Sequence, residues 1–350
     1  MVETSLFRVG LSADFLNEDQ KLIFPDFGLD LLEKELGVSY NFIKDFKAEY
    51  TPDQLAPYDV VISLKPRVTI ASLTTVDRLC AIGRAGVGYD NVDLQACTEA
   101  DVAVYITPQA VIRPMAESIV LFILALSHHL VWKDGMVRKG QWRESTRLMG
   151  REPRDRILGS IGLGGIGTEV VHLMRPFHVG AFLAYDPYLN PVKASSLGVE
   201  LVSLEDLLHR SDYVLVNCPL TPETRHLLGE REFALMKRDA VLVNAARGPI
   251  VDEAALIQAV QDKIIAGAAL DVTEQEPLDP SSPLRTMENV IVTSHSIGWT
   301  EELFRDIGRT DCAGALAIFR GESPAGVVNK DVLNRPGFLR KLERYRGATR

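Results

Sequence analysis

The chain has 350 residues, 46% hydrophobic and 24% charged, which is ordinary globular usage and excludes a disordered polypeptide. Its 38 Lys and Arg stand against 47 Asp and Glu, a formal charge of −9 that would repel phosphates, so no nucleic-acid partner is expected. The length suggests two domains, and four scattered cysteines (Cys80, Cys97, Cys218, Cys312) without a CxxC pair exclude a disulfide scaffold and a structural zinc site.

Short apolar runs bounded by turn residues alternate with helix-length segments. They fall at 7–11, 60–64, 79–83 and 102–106, with a weaker one at 39–43. A mostly apolar stretch at 114–132 reads as a long buried helix. A second series follows at 156–161, 181–185, 213–217, 240–244, 266–270 and 290–293. These six are almost continuously apolar, as strands are when helices cover both faces of a parallel sheet. The whole is the pattern of an α/β protein. Ser203 and Asp252 stand where N-caps are wanted. The basic, polar stretch 334–350 reads as a solvated terminal helix or arm. The opening Met1-Val-Glu-Thr-Ser lacks the basic and apolar regions of a secretion signal. The longest unbroken apolar run, 119–126, falls well short of the ~20 residues that span a bilayer. A cytoplasmic protein with no membrane partner is therefore expected.

The first strand of the second series runs into Gly162-Leu163-Gly164-Gly165-Ile166-Gly167, a GxGxxG turn followed by a helical pattern. Gly162 allows the tight turn, Gly164 lets backbone approach a pyrophosphate, and Gly167 lets the helix pack close to the strand. The helix N-terminus offers unpaired N–H groups to the phosphates. Asp186 ends the second strand, 19 positions after Gly167. A carboxylate there accepts from an adenosine ribose and repels a 2′-phosphate, which favours NAD over NADP. Its plainer reading is a turn former ahead of Pro187.

In open α/β sheets ligands bind beyond the carboxyl ends of the strands. The later runs end in Asn217-Cys218-Pro219, in Asn244 through Ala245, Ala246 and Arg247, in Asp271 with Glu276 following, and in Ser294-His295-Ser296. His295 suits general acid/base work on an alcohol or carbonyl, with Glu276 to balance an imidazolium. Arg247 can hold a carboxylate or polarise a carbonyl. Asp271 is placed to accept from a nicotinamide amide. The remaining histidines (His128, His129, His172, His178, His209, His226) look structural; no metal-ligand spacing occurs, so no metal is expected.

These motifs resemble the D-isomer-specific 2-hydroxyacid dehydrogenase family over nearly the whole chain. Arg84-Ala85-Gly86-Val87-Gly88 with Asp90, Asn91 and Asp93 looks like the family's substrate loop, and the glycine turn with Asp186-Pro187 like its cofactor motif. Pro219 through Thr224, Asn244 through Gly248, and Gly267 through Glu276-Pro277 follow in the family's order. The resemblance implies two doubly wound parallel-sheet domains. A Rossmann NAD-binding domain, 113–303, is inserted into a discontinuous flavodoxin-like substrate domain, 1–112 with 304–350. It implies that Arg247, Glu276 and His295 are catalytic. It implies NAD contacts from Gly162, Gly164, Gly165, Ile166, Gly167, Asp186, Pro187, Asn217, Cys218, Pro219, Thr224, Ala245, Ala246, Arg247, Asp271, His295 and Gly298. Substrate would be held by Lys65, by Arg247 and His295, and by backbone N–H groups across Ala85, Gly86, Val87 and Gly88. A homodimer, joined through the apolar helix at 114–132, is also implied.

The chain departs from the family pattern in three places. Thr293-Ser294-His295-Ser296-Ile297-Gly298 replaces Thr-Pro-His-Ile-Ala-Gly, Ser63 stands where an arginine often lies, and Gln109 replaces a usual glycine. No C-terminal regulatory domain is expected. These departures count against 3-phosphoglycerate, and Glu276 in place of a glutamine counts against formate. The expected activity is NAD-dependent interconversion of a small D-2-hydroxyacid and its 2-oxoacid, hydroxypyruvate or glyoxylate in preference. The alternative is an NAD(H)-sensing protein like the corepressors that share the fold.

Overall fold

The computed structural model describes residues 6–345. It divides into two compact units, Met1–Val111 with Trp299–Arg350, and Ile112–Gly298. The chain re-enters the first unit at Trp299, ahead of the expected 304, because the Trp299 ring packs on Phe24 and Phe304 at centroid distances of 6.0 and 5.0 Å.

The first unit holds a five-stranded parallel sheet: β1 (Phe7–Leu11), β2 (Val38–Phe42), β3 (Val60–Ser63), β4 (Ala81–Arg84) and β5 (Ala103–Ile106), in the order β2-β1-β3-β4-β5. That is the flavodoxin-like doubly wound order. Every residue of β3 is buried, as a central parallel strand requires. Helix Glu301–Phe319 puts Leu303, Phe304, Ile307, Cys312 and Leu316 into this core.

The second unit holds seven parallel strands: β6 (Ile157–Ile161), β7 (Ala181–Tyr185), β8 (Val199–Leu201), β9 (Tyr213–Val216), β10 (Val241–Asn244), β11 (Gly267–Leu270) and β12 (Val290–Val292). Their order is β12-β11-β10-β9-β6-β7-β8, the Rossmann arrangement, with the switch point between β6 and β9. Register does the positioning. Ile161 pairs with Val216, Val216 with Asn244, Asn244 with Leu270, and Leu270 with Val292. The glycine turn, Asn217, Ala245, Asp271 and Thr293 therefore all leave the sheet at one level. Strand β8 is absent from the sequence expectation: three residues at an edge, one of them Glu200, are too short to show a period.

The long helix runs Pro108–His128, not 114–132. Proline costs nothing in a first turn, and both Pro108 and Pro114 were fit starts; the chain uses the earlier one and carries Pro114 inside. The helix stops at His129, whose φ of 55° is left-handed, and a second helix, Leu130–Arg138, follows. The apolar stretch extends beyond the unbroken run 119–126, because a few polar residues interrupt it. Pro108–Ser127 is long and apolar enough by length and composition to cross a membrane, but half of that window is buried. Ala116, Ile119, Phe122, Ile123 and Leu126 fill the core beside Leu158, Leu215 and Val243, so it acts as a core helix.

The C-terminal stretch is no solvated arm up to residue 345. Helix Pro336–Glu343 buries Phe338, Lys341 and Leu342 in the first unit. The Lys341 ammonium donates to the carbonyls of Leu79, Ala100 and Asp101 at 2.7, 2.9 and 3.1 Å. The Tyr345 hydroxyl bonds Asp59, a fully buried carboxylate that also accepts from Arg8 N and Arg78. Met1 through Ser5 and 346–350 lie outside the described residues.

Candidate functional site

The glycine turn is built by three different demands. Gly162 has φ of 89°, and a Cβ there would stand 2.9 Å from the Asn217 and Cys218 backbone. At Gly167 a Cβ would meet the Gly162 carbonyl at 3.1 Å, and at Gly165 the Ile112 side chain at 2.7 Å. At Gly164, the N-cap of helix Gly165–Met174, a Cβ would meet nothing within 4 Å. Packing explains the first three; the open approach over Gly164, beside unpaired helix N–H groups, is what a pyrophosphate needs. Ile166 packs inward against the core.

Asp186 combines both sequence readings. Its Oδ2 accepts from Leu163 N and its Oδ1 from Tyr188 N, each at 3.0 Å, so it ties the glycine turn to the turn after β7. Each oxygen keeps a lone pair for a ribose hydroxyl. Pro187 lies in this turn and Tyr188 is exposed. Asn217 donates to Ser160 Oγ at 2.9 Å, and Thr224 Oγ1 donates to the Pro219 carbonyl at 2.7 Å, which shapes the loop after β9. Burial pushes the half-buried Cys218 thiol up to about 11, so it stays protonated.

After β10, the Asn244 side chain accepts from Ala246 N at 3.1 Å and donates to the Arg247 carbonyl at 3.0 Å, bending 244–247 into a turn just past Ala245. Gly248 lies so close to the next loop that a Cβ would stand 2.0 Å from the Thr273 carbonyl oxygen. In that loop Thr273 N donates to Glu276 Oε1 at 3.3 Å, and Glu276 Oε2 meets His295 Nδ1 at 2.8 Å. Burial pushes the Glu276 carboxyl up. The hydrogen bond and charge of His295, the Thr273 N–H and the charge of Arg247 outweigh it and hold it below its ordinary value. The structure thus brings Glu276, His295 and the field of Arg247 together. With Nδ1 on the carboxylate, Nε2 is the nitrogen left to face a substrate.

Asp271 also holds a loop, a role that sequence reasoning missed. It is buried, and its Oδ1 accepts from Thr293 Oγ1 at 2.6 Å, Ser296 N at 3.0 Å and Ile297 N at 3.1 Å. Its carbonyl accepts from His295 N at 2.7 Å. One residue therefore holds the loop that presents His295, whose φ of 55° is left-handed. Ser294 and Ser296, the residues that depart from the family pattern, bond each other through their hydroxyls at 3.0 Å. Gly298 backs on Met115, whose sulfur a Cβ would meet at 2.4 Å.

In the first unit, the 85–88 segment leaves β4. Ala85 N donates to the Ser63 carbonyl at 2.9 Å and Gly86 N to Thr107 Oγ1 at 3.1 Å. Of the four N–H groups expected to meet a carboxylate, those two are engaged, which leaves Val87 and Gly88. Lys65 is exposed, its N–H on Asp14 Oδ2 at 3.0 Å. Among the described residues no group of three or more His, Cys, Asp or Glu is arranged to hold a metal.

Residues 120–296 match the model of the D-isomer specific 2-hydroxyacid dehydrogenase NAD binding domain. The chain belongs to this family. As a dehydrogenase of the family it is an NAD-dependent oxidoreductase of 2-hydroxyacids. It is 37% identical over 321 residues to a D-3-phosphoglycerate dehydrogenase of Methanocaldococcus jannaschii, covering 91% of this chain but 59% of that protein. It is 35% identical over 336 residues to a glyoxylate reductase of Aeropyrum pernix, covering 90% of this chain and 97% of that one. A Thermus thermophilus protein of known structure superposes with a TM-score of 0.81 at 28% identity, over 92% of this chain and 100% of its own. A D-lactate dehydrogenase of Lactobacillus jensenii, solved with NAD+, superposes at 0.74 and 27% identity, over 92% and 99%. The dehydrogenase's own residues fit NAD: the open Gly164 approach lies at the switch point, next to the Asp186 carboxylate.

Proposed function

We propose that the enzyme reduces a small 2-oxoacid, glyoxylate or hydroxypyruvate, to its D-2-hydroxyacid, and runs the reverse oxidation, with His295 as general acid/base. The observation that carries the reading is the 2.8 Å His295–Glu276 pair under the charge of Arg247, at the carboxyl edge of the NAD-domain sheet. NAD(H) supplies or takes the hydride. His295 Nε2 gives a proton to the carbonyl oxygen as the alkoxide forms, and takes it back in the reverse direction. Glu276 balances the imidazolium and fixes the ring through Nδ1. Arg247 polarises the carbonyl and holds the substrate carboxylate.

A small substrate is supported by Ser63 at the arginine position and by the near full-length match to a glyoxylate reductase. The match to the phosphoglycerate dehydrogenase covers 59% of that protein. The test is NADH and NADPH oxidation by the purified protein across a panel of 2-oxoacids. Turnover of glyoxylate or hydroxypyruvate with NADH preferred is the expected outcome. NADH binding without turnover of any oxoacid would sink the reading in favour of a nucleotide sensor. The enzyme is proposed to be a cytoplasmic homodimer. We propose that its contact uses the exposed apolar side chains along and just after the long helix, Leu121, Leu130, Val131, Val137, Trp142 and Met149.

A further inference from the structure

We infer that His226, through Glu274, is a positioning residue for the Glu276–His295 pair: it ties together the three loops that follow β9, β10 and β11. The inference rests on the proposed catalytic role of that pair. His226 lies nine residues past Asn217, yet its Nε2 meets Glu274 Oε1 at 2.5 Å, two residues before Glu276. Its own N–H donates to the Pro249 carbonyl at 2.8 Å, and Leu228 N reaches Ile250 at 3.2 Å, so the same segment grips the loop after Arg247. Glu274 is fixed from its other side. Its N–H donates to Glu253 Oε2 at 3.0 Å, and its Oε2 accepts from Glu253 N at 3.3 Å, at the start of helix Glu253–Gln261. That N-terminus favours the negative charge.

Stability does not explain the arrangement. The imidazole is 43% and the carboxylate 30% exposed, and ion pairs so placed contribute little. His226 is moreover held at φ of 51°, a left-handed backbone that a non-glycine residue adopts at a cost. What the bridge does is geometric. It fixes the 271–277 turn at Glu274, two residues before Glu276, while Thr273 N fixes the Glu276 carboxylate itself. Small displacements of a catalytic group cost large factors in rate. Loosening this turn withdraws Glu276 from Nδ1 without touching the pyrophosphate turn.

The test uses the full chain. His226→Ala lowers kcat about tenfold, leaves the NADH Kd unchanged, and moves the acid limb of kcat/KM to higher pH, because a Glu276 that loses Thr273 N and His295 protonates more readily. His226→Gln, which keeps an N–H donor for Glu274, restores most of the loss. Glu274→Ala, which removes the side chain that both His226 and Glu253 N hold, follows His226→Ala in direction and stands in for it if that variant does not fold. A readout independent of turnover is the low-field Nδ1 proton resonance of His295, which broadens or shifts in His226→Ala and returns in His226→Gln. An unchanged resonance and unchanged kcat in both His226→Ala and Glu274→Ala overturn the inference. A wild-type chain that reduces no oxoacid overturns the catalytic reading instead, and the resonance still decides whether the bridge holds the pair.

Discussion

His295 and Glu276 carry the sharpest predictions at the scale of single residues. His295→Ala removes the imidazole that the site offers as proton donor. Turnover falls by a factor of order 10² or more, while NADH affinity, set by the glycine turn and Asp186, is unchanged by fluorescence titration. Glu276 gives the pH dependence. Its carboxyl is held below its ordinary value of 4.5, so the ionised form persists at every pH above that. Activity that depends on it is fully present at neutral pH and is lost only as pH falls through the lowered value. The kcat/KM profile is therefore level in this respect from pH 7 to about 5, and Glu276→Gln lowers it throughout and removes the acid limb. An acid limb centred near neutrality that vanishes in Glu276→Gln would contradict the geometry.

Elements matter here through where they end and what they touch there. The loops after β10 and β11 meet at Gly248, whose missing Cβ would lie 2.0 Å from the Thr273 carbonyl oxygen. Gly248→Ala forces these two loops apart, and they carry Arg247 and Glu276. We expect a drop in kcat exceeding what the change in melting temperature would suggest, with NADH binding retained. In the first unit the C-terminal helix Pro336–Glu343 is anchored by Lys341, whose ammonium serves three carbonyls from 79 to 101. Lys341→Met strands those acceptors and destabilises the protein by about 3 kcal/mol, read in chemical denaturation. An unchanged midpoint would show that the helix docks through Phe338 and Leu342 alone.

For the whole molecule, the exposed apolar side chains along 121–149 predict self-association. Leu121, Leu130, Val131, Trp142 and Met149 are each about half exposed or more. So many exposed apolar side chains in one stretch of sequence favour a contact surface. Sedimentation should give a dimer for the wild-type chain and a folded, dissociated form for the double variant Leu130→Asp, Val131→Asp. A wild-type monomer would reject the proposed contact.

Local pattern and spacing were enough for much of this protein. Apolar runs located eleven of the twelve strands among the described residues, because a parallel strand buried on both faces reads as a near-continuous apolar run; β2, whose residues are at most partly buried, was the weak one. The glycine turn, Asp186, Arg247, Asp271, Glu276 and His295 were legible because each sits where a strand stops, and strand ends in a parallel sheet lie on one edge. What needed the tertiary structure were contacts between loops far apart in sequence. Residues 226 and 274 are 48 positions apart, and no period or motif joins an imidazole to that carboxylate. The same holds for Asp271 under the His295 loop, for the two N–H groups of 85–86 already spent on Ser63 and Thr107, and for Lys341 beneath the carbonyls of the 79–101 segment. Strands and phosphate turns are dictated by the backbone's short-range needs. Which lone pair a side chain fills is decided only when register has brought the loops to the same level.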